Sequence, residues 1–449
     1  MRLAAGTFDV VFTYYQRDPA YSLGLASLSA YAKREIPDVR IHLIPIFRDD
    51  SVAKIVDLVS RLDSVLIAVS AMSPTWIPSD PYLRGLRDAL PDTPVLVGGY
   101  QAIVDPEETV RHPAVDFVCV GDGEEPLVGL LRRLRGLAGE SEVIAGLWEK
   151  HGDRVVRRPP VLVRDLDAIP FPDYSIFERE GQIRYLSPRA IQSEHLTTVP
   201  VVSGRGCPYR CTYCANTTLL EIHGGKNGLL RKVDPRSVVD GLVALRDRYG
   251  VEYFQFWDEE FLWDIDYASR LLDDYRERVG LPFSAFARVE GIDDDLCEFA
   301  AAAGCHSLWF GIESGSEDYR RRYLGRRMSN DRLVAAARTA QAHGIKRFGF
   351  NMVGMPFETT EDAAETLRLA REIAPELTVF SQYLPLPGTP LYELCRQNGL
   401  LLDPAADQQM WPLGKLNIRE HEGAITNAEM KEMAAEIMAY LDEYNRFDA

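Results

Sequence analysis

A chain of 449 residues, 46% hydrophobic and 26% charged, is long enough for two or three domains and apolar enough to bury sizeable cores. Its formal net charge of −17 excludes the basic surface that non-specific nucleic-acid binding needs, so no nucleic-acid partner is expected. No apolar run approaches a membrane span and Met1 to Gly6 is too short and mixed for a signal peptide, so no membrane association is expected and the cytoplasm is the expected compartment.

Over residues 1–140, short β-branched runs alternate with helical patterns. Asp9–Thr13, Ile41–Pro45, Ser64–Ser70, Pro94–Val97 and Phe117–Val120 read as strands. Ser22–Glu35, with Leu23, Leu25, Leu28 and Tyr31 on its apolar side, reads as a helix, as do stretches near 51–62, 79–90 and 124–136. This alternation predicts a parallel sheet covered on both faces, with ligands beyond the carboxyl ends of its strands. The residues expected there are Tyr14 and Tyr15, then Ser70, Ala71, Met72 and Ser73, then Gly98, Gly99, Tyr100 and Gln101, then Gly121, Gly123 and Glu124. Taken singly, glycines at strand ends signal only turns. Residues 141–195 read as a connector. Leu147–Val156 forms a hairpin turning at His151-Gly152-Asp153, and Pro170 and Pro172 stiffen an extended run over Asp165–Tyr174.

Three of the seven cysteines then fall within eight residues, Cys207, Cys211 and Cys214, spaced C-x3-C-x2-C. Three thiolates on one short loop can hold three corners of a cubane iron–sulfur cluster, leaving the fourth iron open to an outside molecule. A structural zinc site needs four ligands; His223 could supply the fourth, but no second C-x2-C pair is present. An odd cysteine count without a secretory signal argues against disulfides.

After this loop, from 196 to 395, the alternation resumes. Strands fit the run around Val201, Tyr253–Trp257, Phe283–Ala287, Ser307–Phe310, Phe348–Val353 and Thr378–Tyr383, with helices near 236–249, 265–279, 293–303, 329–343 and 361–373. In a barrel of such βα units, function gathers at the carboxyl ends of the strands. Asp258-Glu259-Glu260, Arg288, Gly311–Ser316, Asn351 with Gly354, Pro356 and Glu358-Thr359, and the stretch from Phe380 to Tyr392 fall there in turn. Cys297, Cys305 and Cys395 read as packing residues, and His223, His306 and His343 as structural. A tail, 396–449, carries Trp411, for which core packing is the plainer role and a pocket wall the alternative, and a helix from about Asn427 to Tyr444.

C-x3-C-x2-C with an aromatic before its last cysteine resembles the signature of the radical S-adenosylmethionine (radical SAM) enzymes. The ordered set Tyr21-Ser22-Leu23-Gly24-Leu25, Val97-Gly98-Gly99, Asp105-Pro106-Glu107-Glu108 and Gly121-Asp122-Gly123-Glu124-Glu125 resembles the cobalamin-binding domain that precedes the barrel in many of them. The resemblance implies an α/β architecture: a Rossmann-like, doubly wound cobalamin-binding domain over 1–140, a connector over 141–195, a partial (β/α)6 TIM-type barrel over 196–395, and a small helical C-terminal cap over 396–449. It implies three cofactors, a [4Fe–4S] cluster, SAM and cobalamin. Cys207, Cys211 and Cys214 would ligate the cluster. Tyr213 would pack beside the adenine of SAM, Asp258 or Glu259 would receive its amino group, and Arg288 its carboxylate. Glu313 and Ser314 would meet the ribose, with Asn351, Gly354 and Leu386 along the adenine. The strand-end residues of 1–140 named above would face cobalamin. The cobalt-ligating D-x-H-x-x-G motif is absent, and Tyr100 stands where histidine is frequent, so no protein histidine is expected on cobalt.

The implied reaction is C-methylation of an unactivated carbon in a small-molecule, natural-product intermediate, through a 5′-deoxyadenosyl radical and methylcobalamin. An external electron donor of flavodoxin or ferredoxin type would supply the cluster. The alternative is a non-methylating cyclase, rearrangement or oxidation enzyme using the same cofactors. A methylthiotransferase is disfavoured, because that family's N-terminal domain supplies three cysteines and this one offers only Cys119.

Overall fold

The computed structural model describes residues 8–16, 21–47, 51–62, 65–139, 142–179, 182–183, 197–403 and 413–444. Two compact units emerge, Met1–Pro188 with Glu221–Arg231, and Arg189–Leu220 with Lys232–Ala449.

The first unit is built on a seven-stranded sheet. Its strands are β1 (Phe8–Gln16), β2 (Val39–Phe47), β3 (Val65–Ser70), β4 (Val95–Gly98), β5 (Phe117–Cys119), β6 (Leu147–His151) and β7 (Arg154–Val156), in the order β2-β1-β3-β4-β5-β6-β7. The first five are parallel, and the β6–β7 hairpin joins them antiparallel along β5. Strands buried on both faces read as continuous apolar runs, which is why Val10-Val11-Phe12 and Leu66-Ile67 carry no alternation. Helices α1 (Leu23–Glu35), α2 (Ala53–Val59), α3 (Ser73–Ala89), α4 (Tyr100–Val104), α5 (Pro106–Arg111) and α6 (Glu124–Leu134) cover it. Phe12 and Leu66 pack with Leu25 of α1 and Leu131 of α6 in one core, and Val11 and Ile67 with Trp76 and Leu83 of α3 in another.

Three details differ from the sequence expectations. The short helices α4 and α5 were not expected. Helix α3 begins at Ser73 rather than near 79, although Pro78 and Pro81 lie inside it. Prolines weaken a helix by removing backbone bonds, yet burial of Trp76, Tyr82, Leu83 and Leu86 outweighs that loss here. The connector is not extended throughout: 3-10 turns occupy Leu166–Ala168 and Tyr174–Phe177. Asp173 caps the second turn and accepts hydrogen bonds from Ser29 Oγ and Lys33 Nζ, both at 2.6 Å, tying the connector to α1.

The second unit holds six parallel strands in sequential order: β8 (Thr198–Val201), β9 (Tyr253–Phe256), β10 (Phe283–Phe286), β11 (Cys305–Glu313), β12 (Lys346–Val353) and β13 (Leu377–Gln382). β8 and β13 are terminal in that order, so the sheet is an open partial barrel. Helices α7 (Pro235–Tyr249), α8 (Ile265–Arg278), α9 (Asp294–Ala302), α10 (Asn330–Ala342) and α11 (Thr360–Ile373) return the chain between strands. Each starts on a capping side chain, Asp234, Asp264, Asp293, Ser329 and Thr359, which satisfies a backbone N–H of the first turn. The last helix, α12 (Asn427–Tyr444), packs Met430, Met433, Ile437 and Tyr440 into the core that also holds Leu367 of α11 and Phe380 of β13. Cys297, Cys305 and Cys395 are buried packing residues. His306 meets the Tyr253 hydroxyl at 3.2 Å and His343 meets Asp294 at 3.2 Å. Trp411 lies outside the described residues. Among the described residues no helix is long and apolar enough to cross a membrane.

Candidate active site

The cysteine loop follows β8 and is clasped by the chain after β11. Thr212 N–H donates to Leu324 O at 3.2 Å, the Thr212 hydroxyl reaches Tyr323 O, and Leu391 N–H donates to Thr212 O at 2.9 Å. Arg320–Leu324, a π-helical turn, makes that clasp, and Gly325 sits so close that a Cβ there would lie 3.0 Å from Arg210 O. Cys211 is buried and Cys207 and Cys214 are half-buried. Burial pushes the Cys207 thiol up to about 12 and that of Cys214 up to about 11, and the neighbouring cysteines push both further the same way. Thiols raised in this way ionise only when a cation replaces their protons, as metal binding does. Among the described residues no three His, Cys, Asp or Glu side chains converge on a single metal ion. Three thiols on one short loop suit a multi-iron cluster, whose ligands stand on separate irons.

Two arginines flank Cys211. Arg288, just beyond β10, places Nη1 3.2 Å from Cys211 Sγ and its guanidinium carbon 4.0 Å from the centre of the Tyr209 ring, and it pairs with Glu290. Arg326 is buried; Nη2 donates to Gly311 O at 2.6 Å, and Nη1 donates to the Tyr213 hydroxyl at 3.1 Å and lies 3.5 Å from Glu313 Oε1. The Tyr213 hydroxyl in turn donates to Glu313 Oε1 at 2.9 Å. Glu313 takes φ 67°, where a β bulge ends β11 and turns its carboxylate toward the cysteine loop. Burial raises its pKa, against the opposing pull of Arg326. Neighbouring Ser314 is fully buried, with its Oγ accepting Ser316 N–H at 3.3 Å.

The three acids after β9 diverge. Asp258 is buried and accepts Ser203 N–H at 2.8 Å, the Ser203 hydroxyl at 2.7 Å and Lys232 Nζ at 3.3 Å. Glu260 is buried too, accepting Leu262 N–H and Arg288 N–H, both at 3.1 Å, and burial pushes it up to about 7. Glu259 alone is exposed, yet protein around it raises its pKa, and Gly206 N–H bonds to it. A side chain that is open to solvent but crowded by protein marks the wall of a concavity.

After β12, Asn351 is buried; its amide nitrogen donates to Thr378 Oγ1 at 2.9 Å and Val379 O at 3.2 Å, while its Oδ1 has no partner. Gly354 packs against Gln382 and donates its N–H to Glu358 Oε2 at 2.5 Å. Burial pushes Glu358 up to about 8. Leu386, half-buried, accepts Thr389 N–H at 3.1 Å through its carbonyl. Arg326 was not singled out from sequence and gave no local signal. Glu260 was visible in the acid run and Glu358 in the segment after β12, though neither was given a role of its own.

In the first unit, Tyr14, Tyr15, Ser70–Ser73 and Gly98–Gln101 do collect at the carboxyl edge of β1, β3 and β4. Tyr14, Ala71, Tyr100 and Gln101 are buried, Tyr15 and Ser70 are half-buried, and Met72 is 51% exposed. Ser73 Oγ is buried without a hydrogen-bond partner, an orphan that a ligand at this edge would satisfy. Other members serve the unit's own packing. Gly99 (φ 91°) faces Ala71 O, where a Cβ would come within 2.7 Å, and Gly121 (φ 103°) faces Val161 O, where it would come within 2.1 Å. Gly123 abuts Leu28, and Glu124 accepts the Ser27 hydroxyl at 2.8 Å.

The model of the radical SAM superfamily matches residues 201–370, and that of the B12 binding domain matches residues 17–131. The chain belongs to the cobalamin-dependent radical SAM enzymes. It thus carries the domain architecture for a [4Fe–4S] cluster, SAM and cobalamin. This radical SAM enzyme is 27% identical over 389 residues to an uncharacterized methyltransferase of Pyrococcus horikoshii, covering 85% of this chain and 79% of that one. It is 24% identical to the cytidylyl-2-hydroxyethylphosphonate methyltransferase of Streptomyces wedmorensis, covering 92% and 85%. Its fold resembles that of the radical SAM methyltransferase TsrM of Kitasatospora setae, solved with tryptophan and a SAM analogue, at TM-score 0.69 and 18% identity over 89% of this chain and 79% of that one.

Proposed function

We propose that this enzyme C-methylates a small-molecule intermediate of natural-product type. The observation that carries the reading is extent: methyltransferases align over 85% and 92% of this chain, across both family matches rather than the radical SAM part alone. When bound, the cluster supplies the electron that cleaves SAM and cobalamin supplies the transferable methyl group.

The chain's own residues take these roles. Cys207, Cys211 and Cys214 hold the cluster. Glu259, the one acid after β9 left exposed, receives the SAM amino group, while Asp258 and Glu260 brace the loops on either side. Glu313 meets the ribose, and the unpaired Asn351 Oδ1 accepts from the adenine amino group. Gly354, Leu386 and Tyr213 bound the adenine, and Ser314 supports the turn behind Glu313. At the edge of the first unit, Tyr15, Ser70, Met72, Ser73, Gly98, Tyr100 and Gln101 face cobalamin, and no histidine among them ligates cobalt. A cytoplasmic one-electron donor of flavodoxin or ferredoxin type serves the cluster.

The test is anaerobic purification from cobalamin-supplied cells, metal analysis, and incubation with SAM carrying a labelled methyl group and a panel of substrates. Iron with cobalt and a labelled product supports the proposal. Iron without cobalt overturns the methyl-transfer reading.

A further inference from the structure

Arg288 has two jobs open to it: binding the carboxylate of SAM, or serving the cluster directly. Its surroundings decide between them. Three of the five guanidinium N–H donors are engaged, Nε with Glu290 at 3.3 Å, Nη2 with the other oxygen of Glu290, and Nη1 with Cys211 Sγ at 3.2 Å. The plane is stacked 4.0 Å from the centre of the ring of Tyr209, which lies between Cys207 and Cys211. Its backbone is fixed as well, because Arg288 N–H donates to the buried Glu260 carboxyl at 3.1 Å. The side chain is 13% exposed. Glu290 already occupies the Nε/Nη2 edge, and the plane is held against the ring and the sulfur, so a ligand carboxylate would be left only the outer N–H groups of Nη1 and Nη2.

We infer that Arg288 is a positioning residue for the iron–sulfur cluster, raising its reduction potential through Cys211, and does not hold the SAM carboxylate. The inference rests on the reading that Cys207, Cys211 and Cys214 carry the cluster. Its physical basis is charge. One-electron reduction adds a negative charge to a group already ligated by three thiolates, so a fixed cation and an N–H···S hydrogen bond stabilise the reduced form more than the oxidised one. Arginine suits this because it stays protonated under all working conditions and holds its donors in a rigid fork. Glu290 acts in opposition, partly neutralising the guanidinium. The electron comes from a low-potential one-electron reductant, and no bond is made or broken in this step.

The experiment is a potentiometric titration of the reconstituted full-length chain with titanium(III) citrate, without SAM, followed by electron paramagnetic resonance of the reduced cluster. SAM affinity is measured separately on each variant. Arg288→Met is expected to lower the cluster potential, Arg288→Lys to lower it less, and Glu290→Gln to raise it, all with SAM affinity retained. An unchanged potential in Arg288→Met together with a loss of SAM affinity overturns the inference and restores Arg288 as a SAM ligand. Should Arg288→Met take up no iron, the other two variants decide: opposite displacements support the inference, and no displacement overturns it. A parent chain that binds no iron overturns the cluster assignment itself, and this inference with it.

Discussion

In the first unit the loops after β4 and β5 close on their own neighbours: Gly99 on Ala71, Gly121 on Val161, Glu124 on Ser27. In the partial barrel the corresponding loops are braced from behind and keep polar groups at the edge. Glu259 stays exposed while Asp258 and Glu260 are buried in hydrogen bonds, and Asn351 keeps an unpaired oxygen. The two edges share a parallel βα topology, but the glycine motif of the first reports largely on close backbone packing. The acid and amide motifs of the second report on a polar concavity with a rigid backing. Family motifs of similar length therefore carry different physical content.

That contrast can be broken by substitution. The largest effect is expected from Cys214→Ala, which removes a proposed corner ligand and should abolish stable iron loading, measured as iron per chain and visible absorption. Retained iron would mean that the loop is not the ligand set. Arg326→Met comes next. It strands the Glu313 carboxylate in a half-buried site without its cation, and losing one partner of a buried pair costs about 3–5 kcal/mol, read as a lower denaturant midpoint. In the first unit, Gly121→Ala combines a left-handed backbone with a clash on Val161, a cost of about 2–3 kcal/mol. Iron loading should be unaffected, which sharpens the separation of the two edges.

The last prediction concerns pH. The folded pKa of Glu358, about 8, lies above an unfolded value of roughly 4.3, so the folded unit binds this proton more tightly. Its contribution is complete below the unfolded pKa and is lost as pH rises through about 8. Glu358→Gln should flatten that decline in a series of denaturation curves across the same range. An equally steep decline in the variant would assign the pH dependence elsewhere.

All six barrel strands were legible because each is a compact apolar run set between amphipathic helices with side-chain caps. The cysteine loop was legible because its three ligands are local. The early start of α3 was not, since prolines inside a helix are tolerated only where burial compensates, and burial is a property of distant partners such as β1 and β3. Arg326 escaped notice for the same reason: an isolated charged residue reads as surface until its neighbours are known.

The sequence by itself determined the cofactor chemistry the chain is organised around, the order of its βα units and the lack of a D-x-H-x-x-G motif. Each is written in residue type and local spacing. Only the tertiary structure decided which of Asp258, Glu259 and Glu260 is left open, that Ser314 turns inward, and that Arg288 lies on Cys211 rather than free. Consecutive residues differ there because their partners, Ser203, Arg288 and Cys211, arrive from other strands, and which side chain meets them depends on packing between elements remote in the chain.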